Sequence, residues 1–268
     1  MRSRKVSFLY IGPPKSGSSW LYKVLSSSSA VYVPDAKDLY FFDRFYSRGV
    51  AWYENQFSGF LGKVICGELS HDYLYSKEAI ERIKEYNPEI KFVGIFRDPV
   101  ERSISHYKFS LKHGNVEMGL LGAAKKNPNI IELSKYENYL PYVLSQFPRS
   151  QILLIDFQDL KARPDDVVKK ICDFLKIENA AEMKVPGKVN SAMVSRNRIV
   201  SLIVKRLALL MRRMGLQNML GLLKSNEFVN KLIYKKGEVE LSEKELRFLE
   251  ISLSESISYY REINFDEV

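Results

Sequence analysis

The chain has 268 residues, of which 46% are hydrophobic, which is ample for one buried core. We find no internal repeat and no long low-complexity tract, so a repeat architecture is excluded and a single domain over residues 1–268 is expected. The formal net charge of +9 suits an anionic ligand or surface, such as a nucleotide, nucleic acid, an acidic polysaccharide or a membrane, and does not choose among them.

The two cysteines and the N-terminal residues give an expectation about the cellular compartment of the protein. Cys66 and Cys172 are far apart, one in a predicted strand and one on the apolar side of a predicted helix. Two buried free thiols in a reducing compartment are therefore favoured over a disulfide or a metal site. Only six apolar-leaning residues follow the basic residues 1–5, too few for a signal peptide or a membrane anchor. A soluble, cytoplasmic protein of bacterial type is expected, unless the chain is part of a longer one.

The first predicted strand, residues 6–11, ends in a loop that suits a phosphate. Gly12-Pro13-Pro14 cannot continue the strand, and apolar residues at helical spacing begin at Trp20, with Ser18 or Ser19 as the predicted N-cap. The loop therefore lies at a helix N-terminus, where unpaired N–H groups favour an anion.

Its residues supply the matching chemistry: Gly17 allows close backbone approach, Ser16 adds a hydroxyl and Lys15 adds a positive charge. No Gly-x-x-x-x-Gly-Lys-[Ser/Thr] pattern runs through the loop, so it is not the usual nucleoside-triphosphate loop. A helix start with an incidental lysine stays an alternative.

Further strands and helices alternate along the chain, which predicts right-handed crossovers and an α/β fold. We expect a P-loop-like, three-layer fold: a central, mostly parallel sheet of four to five strands flanked by helices over residues 6–177, and a mostly helical extension over 178–268. The later predicted strands are 64–69, 90–96 and 152–157, and the predicted helices are 76–87, 100–113 and one opening at Pro164.

Two segments carry a resemblance to a known family. Residues 14–20 resemble the 5′-phosphosulfate-binding loop of sulfotransferases that use 3′-phosphoadenosine 5′-phosphosulfate (PAPS). Residues 92–107 resemble the same family's 3′-phosphate-binding segment, with Arg97 and Ser105 eight positions apart. The guanidinium of Arg97 is a permanently charged fork suited to a phosphate monoester. Considered alone, Arg97 could equally form a surface ion pair with Asp98 or Glu101.

The resemblance implies a donor site for PAPS, with adenosine 3′,5′-bisphosphate as the product and no metal required. Arg97 and Ser105 would anchor the 3′-phosphate, Trp20 would face the adenine, and a basic loop near residues 185–196, including Lys188, would close the site. The implied 5′-phosphosulfate ligands are Lys15, Ser16, Gly17, Ser18 and Ser19.

A third segment offers one candidate general base. Residues 37–43 and 49–53 resemble the Lys-Glu-x-His-Phe-Phe and Gly-Leu-x-Trp-Tyr segments of heparan-type and bacterial carbohydrate sulfotransferases. In those relatives the glutamate is a candidate base for the acceptor hydroxyl. This chain has Asp38 at that position, one methylene shorter, and Tyr40 where histidine is common. A loop carboxylate paired with Lys37 is the alternative role for Asp38.

The stretch after the second strand offers another base. Relatives carry a lysine before its Ser/Thr, whereas this chain has Leu69. His71 falls on the histidine of the Lys-Thr-His stretch found in the small-molecule branch. A neutral imidazole can take a hydroxyl proton at physiological pH, so His71 is a candidate base. A histidine that is only hydrogen-bonded at a strand end is the alternative.

The remaining chain is less informative. Residues 114–134 are expected to be irregular, and 197–223 form either a basic amphipathic helix on a membrane or a helix packed over the acceptor cleft. Ser242 and Glu245 form a predicted capping box ahead of a last helix.

We therefore expect sulfuryl transfer from PAPS to a hydroxyl or amine of a carbohydrate or glycan acceptor, with a lipid or small-molecule alcohol as the alternative. A nucleotide or nucleoside kinase would share the phosphate loop, and a nucleic-acid or membrane-surface binder would share the charge. No nucleic-acid partner is expected, peripheral membrane contact stays open, and the sequence does not indicate an oligomeric state.

Overall fold

The computed structural model describes residues 6–59, 65–112, 116, 119–178, 183–187, 193–195, 206, 234–236 and 239–265. The chain divides into two compact units, the first formed by residues 1–97, 136–189 and 261–268, and the second by 98–135 and 190–260. The strands are β1 (Phe8–Tyr10), β2 (Val31–Tyr32), β3 (Ile65–Glu68), β4 (Lys91–Phe96), β5 (Ile152–Asp156), β6 (Met193–Ser195) and β7 (Tyr234–Lys236). The helices are α1 (Ser18–Ser26), α2 (Phe41–Arg44), α3 (Val50–Asn55), α4 (Lys77–Tyr86), α5 (Pro99–Lys112), α6 (Leu120–Lys126), α7 (Asn129–Glu132), α8 (Leu140–Gln146), α9 (Phe157–Ala162), α10 (Pro164–Leu175), α11 (Glu243–Ser252) and α12 (Ser254–Glu262), with 3₁₀ turns at Tyr46–Arg48, His71–Tyr75, Tyr136–Asn138 and Arg149–Gln151.

An all-parallel sheet of β1 to β5 forms the centre of the first unit, in the order β2-β3-β1-β4-β5. Phe8 pairs with Gly67 on one side and with Lys91 on the other, so β1 is the middle strand. Because the strands are parallel, their carboxyl ends meet at one edge, where ligands bind in open α/β sheets. The predicted α/β class with four to five strands flanked by helices is confirmed.

One face of this sheet packs against α1 and α10. Both helices present apolar side chains at a spacing of three and four residues, which places them on one stripe. The stripe of α10 was predicted, including the start of the helix at Pro164. The buried residues on this face include Phe8, Tyr10, Val93, Ile95, Leu153 and Ile155 from the strands, Trp20, Leu21, Val24 and Leu25 from α1, and Val167, Ile171, Phe174 and Leu175 from α10.

Aromatic rings cover the opposite face. Phe92 and Phe96 alternate with Val93 and Ile95 along β4 and therefore point away from them. Their rings meet Phe147 and Tyr136 edge-on, at centroid distances of 4.7 and 5.2 Å. Aromatic residues are dense between positions 30 and 60, and four of them are fully buried: Phe41, Phe42, Tyr53 and Phe57.

The second unit is built from α5, α6, α7, α11 and α12, with an antiparallel pair of β6 and β7. Arg102 is fully buried there because its guanidinium donates to Ser134 Oγ and to the carbonyl oxygen of Ile130. The predicted capping box at the start of α11 is confirmed, and Glu245 Oε1 also accepts the N–H of Leu120 at 2.6 Å.

Several sequence expectations need correction. Residues 114–134 were expected to be irregular, yet α6 and α7 lie there. They are helical because apolar side chains of both helices, such as Leu120 and Ile130, pack in the core of the second unit. The last helix is interrupted at Leu253, and the two-residue strand β2 was missed, since so short an edge strand has no periodicity to detect. Residues 197–223 lie outside the described residues except for 206.

Two smaller observations concern the cysteines and the membrane question. Cys66 and Cys172 are buried free thiols, as predicted. Among the helices that the structure describes, none combines the length and apolarity that crossing a bilayer requires.

The close approach of β1 and β4 yields a stability prediction. A Cβ at Gly12 would lie 2.6 Å from the carbonyl oxygen of Ile95 and 2.3 Å from the hydroxyl oxygen of Tyr10. The backbone oxygen cannot move without disturbing the sheet, so Gly12→Ala should lower the free energy of unfolding by about 2 kcal/mol. Chemical denaturation would measure it.

Gly187→Ala is the matched control, because a Cβ at Gly187, also in the first unit, meets nothing within 4 Å. Its effect should stay within about 1 kcal/mol. Equal stability of the two variants would contradict the close approach of the strands.

Candidate active site

The loop after β1 is shaped by two residues with positive φ. Lys15 has φ +74° and Gly17 has φ +97°. Gly17 is the N-cap of α1, and its carbonyl oxygen accepts the N–H groups of Trp20 and Leu21 at 2.9 and 3.0 Å. The predicted N-cap at Ser18 or Ser19 is therefore wrong: the left-handed conformation that begins this helix is one that glycine adopts without strain.

Ser16 is the strongest sign of a ligand in this loop. Its side chain is fully buried, and its Oγ has no hydrogen-bond partner among the residues that the structure describes. A buried hydroxyl left without a partner costs about 1–3 kcal/mol, so such groups call for an explanation. A phosphate oxygen would accept from Ser16 Oγ, and the residues of this loop fit a phosphorylated ligand on that ground.

Arg97 follows β4, the neighbour of β1, and one aromatic ring joins the two strand ends. The guanidinium carbon of Arg97 lies 4.7 Å from the centroid of the Phe157 ring. A Cβ built on Gly17 would lie 3.5 Å from that same ring. Phe157 therefore contacts Arg97 and lies close to Gly17, which places Arg97 and the loop of Lys15 near a common residue at one edge of the sheet.

Hydrogen bonds fix the backbone at the end of β4 and at the start of α5. Asp98 Oδ1 accepts the N–H of Glu101 at 2.9 Å, which is the bond of a helix-capping aspartate. The carbonyl oxygen of Arg97 accepts the Tyr136 hydroxyl at 2.9 Å, which holds the backbone at the end of β4.

The two candidate bases are in contact with each other. Asp38 Oδ1 lies 3.0 Å from His71 Nδ1. The other ring nitrogen, Nε2, lies 3.2 Å from Asp72 Oδ1 and 3.4 Å from the Tyr40 hydroxyl. Lys37, the alternative partner considered for Asp38, instead donates from Nζ to the hydroxyls of α1's first residues. The geometry thus combines Asp38 and His71 in one unit.

The turn that carries Asp38 is strained. Asp38 and Tyr40 have φ of +68° and +54°, and only two other described non-glycine residues have positive φ: Lys15 and Lys176, which caps α10. Such residues cost about 1–3 kcal/mol each and cluster at functional sites. Two hydrogen bonds hold the turn: Asp38 N–H donates to the Leu69 carbonyl at 3.2 Å, and Tyr40 N–H donates to Ser70 Oγ at 3.1 Å.

Beneath this turn lies Glu68, a buried carboxyl with three hydroxyl partners. It accepts the hydroxyls of Tyr53 and Tyr73, both at 2.8 Å, and that of Ser70. The Tyr73 oxygen in turn accepts the N–H of Phe41 at 2.9 Å. Burial raises the pKa of Glu68 to about 7, because desolvation outweighs the three hydrogen bonds that favour the carboxylate.

Other residues implied by the resemblance have different placements. Trp20 is 6% exposed and packs in the core, so it offers little surface to an adenine. Ser105 is partly exposed on α5 in the second unit. Lys188 lies outside the described residues. The roles of these three residues stay predictions.

Sequence reasoning missed the contributions of Lys37, Glu68 and Phe157. Lys37 is visible in sequence only as a residue beside Asp38, and its contact with Ser18 and Ser19 depends on how the turn folds. Glu68 could have been noticed as a carboxyl at the end of a buried strand. Among the described residues, no three His, Cys, Asp or Glu side chains come together as a metal-binding group.

Comparison with known proteins agrees with this geometry. A family model described as a sulfotransferase domain matches residues 6–200. Human heparan sulfate glucosamine 3-O-sulfotransferase 6 is 28% identical over 201 residues, covering 68% of this chain and 56% of that protein. Human bifunctional heparan sulfate N-deacetylase/N-sulfotransferase 3 is 29% identical over 194 residues, covering 64% of this chain and 22% of that protein. The chain thus matches 56% and 22% of the length of these two relatives.

Solved structures show the same fold. A sulfotransferase from Alicyclobacillus acidocaldarius has a TM-score of 0.62 at 20% identity and covers 80% of this chain and 94% of its own. Mouse sulfotransferase SULT7A1, complexed with PAP, has a TM-score of 0.52 at 15% identity and covers 95% of this chain and 85% of its own.

The parallel sheet and the helices that flank it define an α/β protein with a P-loop-like fold. Because the family model covers most of the chain, this protein belongs to the sulfotransferase family. The resemblance to PAPS-dependent, heparan-type members is confirmed by the relatives that match it.

The buried carboxyl of Glu68 predicts a pH dependence of stability. Its pKa is about 7 in the folded protein against 4.5 for an exposed glutamate, so the folded state holds a proton that the unfolded state loses. This group's contribution to stability therefore falls as pH rises from about 4.5 to about 7 and is constant above that.

Glu68→Gln keeps the shape and cannot ionise. The free energy of unfolding of the variant minus that of the wild type should therefore rise by about 3 kcal/mol between pH 4.5 and pH 8. Urea unfolding at both pH values measures this difference, and Glu78→Gln, at an exposed position on α4, is the control. A pH-independent difference would contradict a buried, protonated carboxyl.

Proposed function

We propose that this protein transfers the sulfuryl group of PAPS to a hydroxyl or amine of an acceptor, which is a carbohydrate or glycan. The observation that carries the proposal is that Phe157 contacts Arg97 and lies close to Gly17 of the Lys15 loop, at the carboxyl ends of adjacent parallel strands. One ligand with two separated phosphates fits that arrangement, and PAPS supplies the activated sulfuryl group when bound. Membership of the sulfotransferase family supports the same donor.

The loop after β1 would hold the 5′-phosphosulfate. Lys15 supplies a positive charge, Ser16 a buried hydroxyl donor, and the N–H groups at the start of α1 further donors. Charge accumulates on the leaving phosphate during transfer, so donors fixed at this place stabilise the transition state more than the ground state. Arg97 would anchor the 3′-phosphate.

The pair of Asp38 and His71 would remove the acceptor proton. With Asp38 holding Nδ1, His71 would take the proton at Nε2 in place of its contact with Asp72 Oδ1, as in other sites where a carboxylate orients an imidazole base. In the reverse assignment Asp38 takes the proton and His71 holds the carboxylate in place. We treat the pair as one general base, since either member acts through contact with the other.

The acceptor is the least determined part of the proposal. The relatives named for heparan sulfate glucosamine sulfation favour a glycan. Two departures from their pattern, Asp38 and Leu69, leave a lipid or small-molecule alcohol as the alternative. We also propose a cytoplasmic location, with the buried free thiols of Cys66 and Cys172 in its support.

The donor site predicts how charge-removing variants behave. Lys15→Ala and Arg97→Ala should each abolish transfer of labelled sulfate from PAPS to a heparan-type oligosaccharide, and should weaken binding of adenosine 3′,5′-bisphosphate at least tenfold, because each removes a cation from a phosphate. Isothermal titration calorimetry measures the binding independently of the acceptor.

Lys23→Ala, at an exposed position on α1, is the matched control and should behave as wild type. Retention on immobilised adenosine 3′,5′-bisphosphate but not on ATP would separate this function from that of a kinase. Wild-type transfer by either site variant would refute the assignment of the site.

The proposed base predicts a separate effect on turnover. Asp38→Asn and His71→Ala should each lower kcat by at least about 100-fold, the usual size of a general-base contribution, while affinity for adenosine 3′,5′-bisphosphate changes less than about twofold. The larger loss identifies the member that takes the proton.

Asp35→Asn, an exposed carboxylate on the same turn, is the control and should retain wild-type kcat. If both site variants also turned over normally, the proton would have to go elsewhere and the role of the pair would be wrong.

A further inference from the structure

A second lysine reaches the loop at the start of α1. Lys37 Nζ donates to Ser18 Oγ at 2.8 Å and to Ser19 Oγ at 3.3 Å. An ammonium group has three N–H donors, so one is left for a ligand oxygen. Within the described part of the chain, no carboxylate lies within ion-pair distance of this Nζ. Its positive charge is therefore not neutralised by a fixed counter-ion.

The turn that carries Lys37 is bonded to a residue, Leu69, at which relatives carry a further lysine. Members of the family carry a lysine directly after the glutamate at the end of the strand that corresponds to β3. This chain has Leu69 at that position, and its side chain is 2% exposed and part of the core. The backbone N–H of Asp38 donates to the carbonyl oxygen of that same Leu69. The residue next to Lys37 is thus hydrogen-bonded to the residue that lacks the charge.

We propose that Lys37 is a catalytic residue of the transfer site, supplying from the neighbouring turn a cation beside Lys15 at the N-terminus of α1. The proposal rests on the proposed function and deepens it. In the donor complex, Nζ would contact an oxygen of the 5′-phosphosulfate, beside Ser16, whose buried hydroxyl has no partner among the described residues.

The chemistry shows where this charge acts. The bond between sulfur and the bridging oxygen breaks, and its electron pair stays on the 5′-phosphate. A new sulfur–oxygen bond forms to the acceptor, whose proton passes to the pair of Asp38 and His71. Negative charge thus grows on the leaving phosphate, at the N-terminus of α1. Lys15 precedes that terminus in sequence, and Lys37 contacts its first residues. A fixed cation there stabilises the leaving group without having to move.

Lys37 could instead only hold the two serine hydroxyls in place. That role would act only through the hydroxyls of Ser18 and Ser19, which the resemblance also assigns to the 5′-phosphosulfate, so Lys37→Met would have no further effect in a Ser18→Ala/Ser19→Ala background. Binding of two ligands that differ only in the 5′-phosphate, measured with and without the two serine hydroxyls, therefore separates the two roles.

The experiment compares adenosine 3′,5′-bisphosphate with adenosine 3′-phosphate, which lacks the 5′-phosphate, by isothermal titration calorimetry. Lys37→Met should weaken binding of the first about tenfold and leave the second within about twofold. It should also lower kcat at least 100-fold, the usual cost of removing one such donor. Lys37→Arg should retain part of both, and Lys23→Met, at an exposed position on α1, should retain all.

The outcomes separate the two proposals. If the wild type binds neither nucleotide, the proposed function itself fails. If it binds both and Lys37→Met weakens neither or both equally, Lys37 has no contact with the 5′-phosphate, and only the present inference is wrong.

A chemical rescue keeps the test valid if Lys37→Met folds poorly. Lys37→Cys is purified folded and treated with 2-bromoethylamine, which converts the cysteine to a lysine analogue, while Cys66 and Cys172 are protected by burial. Treatment should raise kcat at least tenfold, with treated wild type as the control. Complete alkylation without recovery of turnover or of the preference for the 5′-phosphate would overturn the proposal.

Discussion

The pairing of β1 with β4 is the contact on which the candidate site depends. Ile11 N–H donates to the Val93 carbonyl, and Gly12 lies so close to Ile95 that no side chain fits between them. Neighbouring parallel strands end at the same edge of the sheet, so the loop that contains Lys15 and the side chain of Arg97 follow adjacent strand ends. The ring of Phe157 contacts Arg97 and lies close to Gly17 of that loop.

The second constraint is the buried carboxyl of Glu68. Its hydrogen bonds to Ser70 and Tyr73 continue to backbone N–H groups of the turn that carries Asp38. A buried carboxyl is costly, and so are the positive φ angles of Asp38 and Tyr40. These costs persist because each polar group in the network has a partner. The arrangement holds the candidate base rigidly against the end of β3, with core packing below it.

Much of the fold could be predicted from the sequence because its elements are periodic and strongly apolar. The four longer strands, the start of α10 at Pro164 and the capping box at Ser242 follow from local rules that the tertiary structure obeys. The site was predictable only in part. The hydroxyls of Ser18 and Ser19 do not cap α1, because the loop enters the helix in a left-handed conformation that only Gly17 accommodates without strain. No local rule shows this, and none shows which distant side chain the hydroxyls then meet.

The departures of this chain from the family pattern make physical sense as a set. Asp38 is one methylene shorter than the glutamate of carbohydrate sulfotransferases, yet it contacts His71, whose ring extends the reach of the pair by several ångströms. Leu69 lacks the charge of the usual lysine, yet its carbonyl oxygen holds the turn that carries Lys37. In the proposed assignment, Asp38 and His71 share the base between two segments, Lys37 supplies the cation of the first, and the second supplies none. Since transfer depends on where charge and protons are placed, two segments joined by backbone hydrogen bonds can differ in such groups while the fold is unchanged.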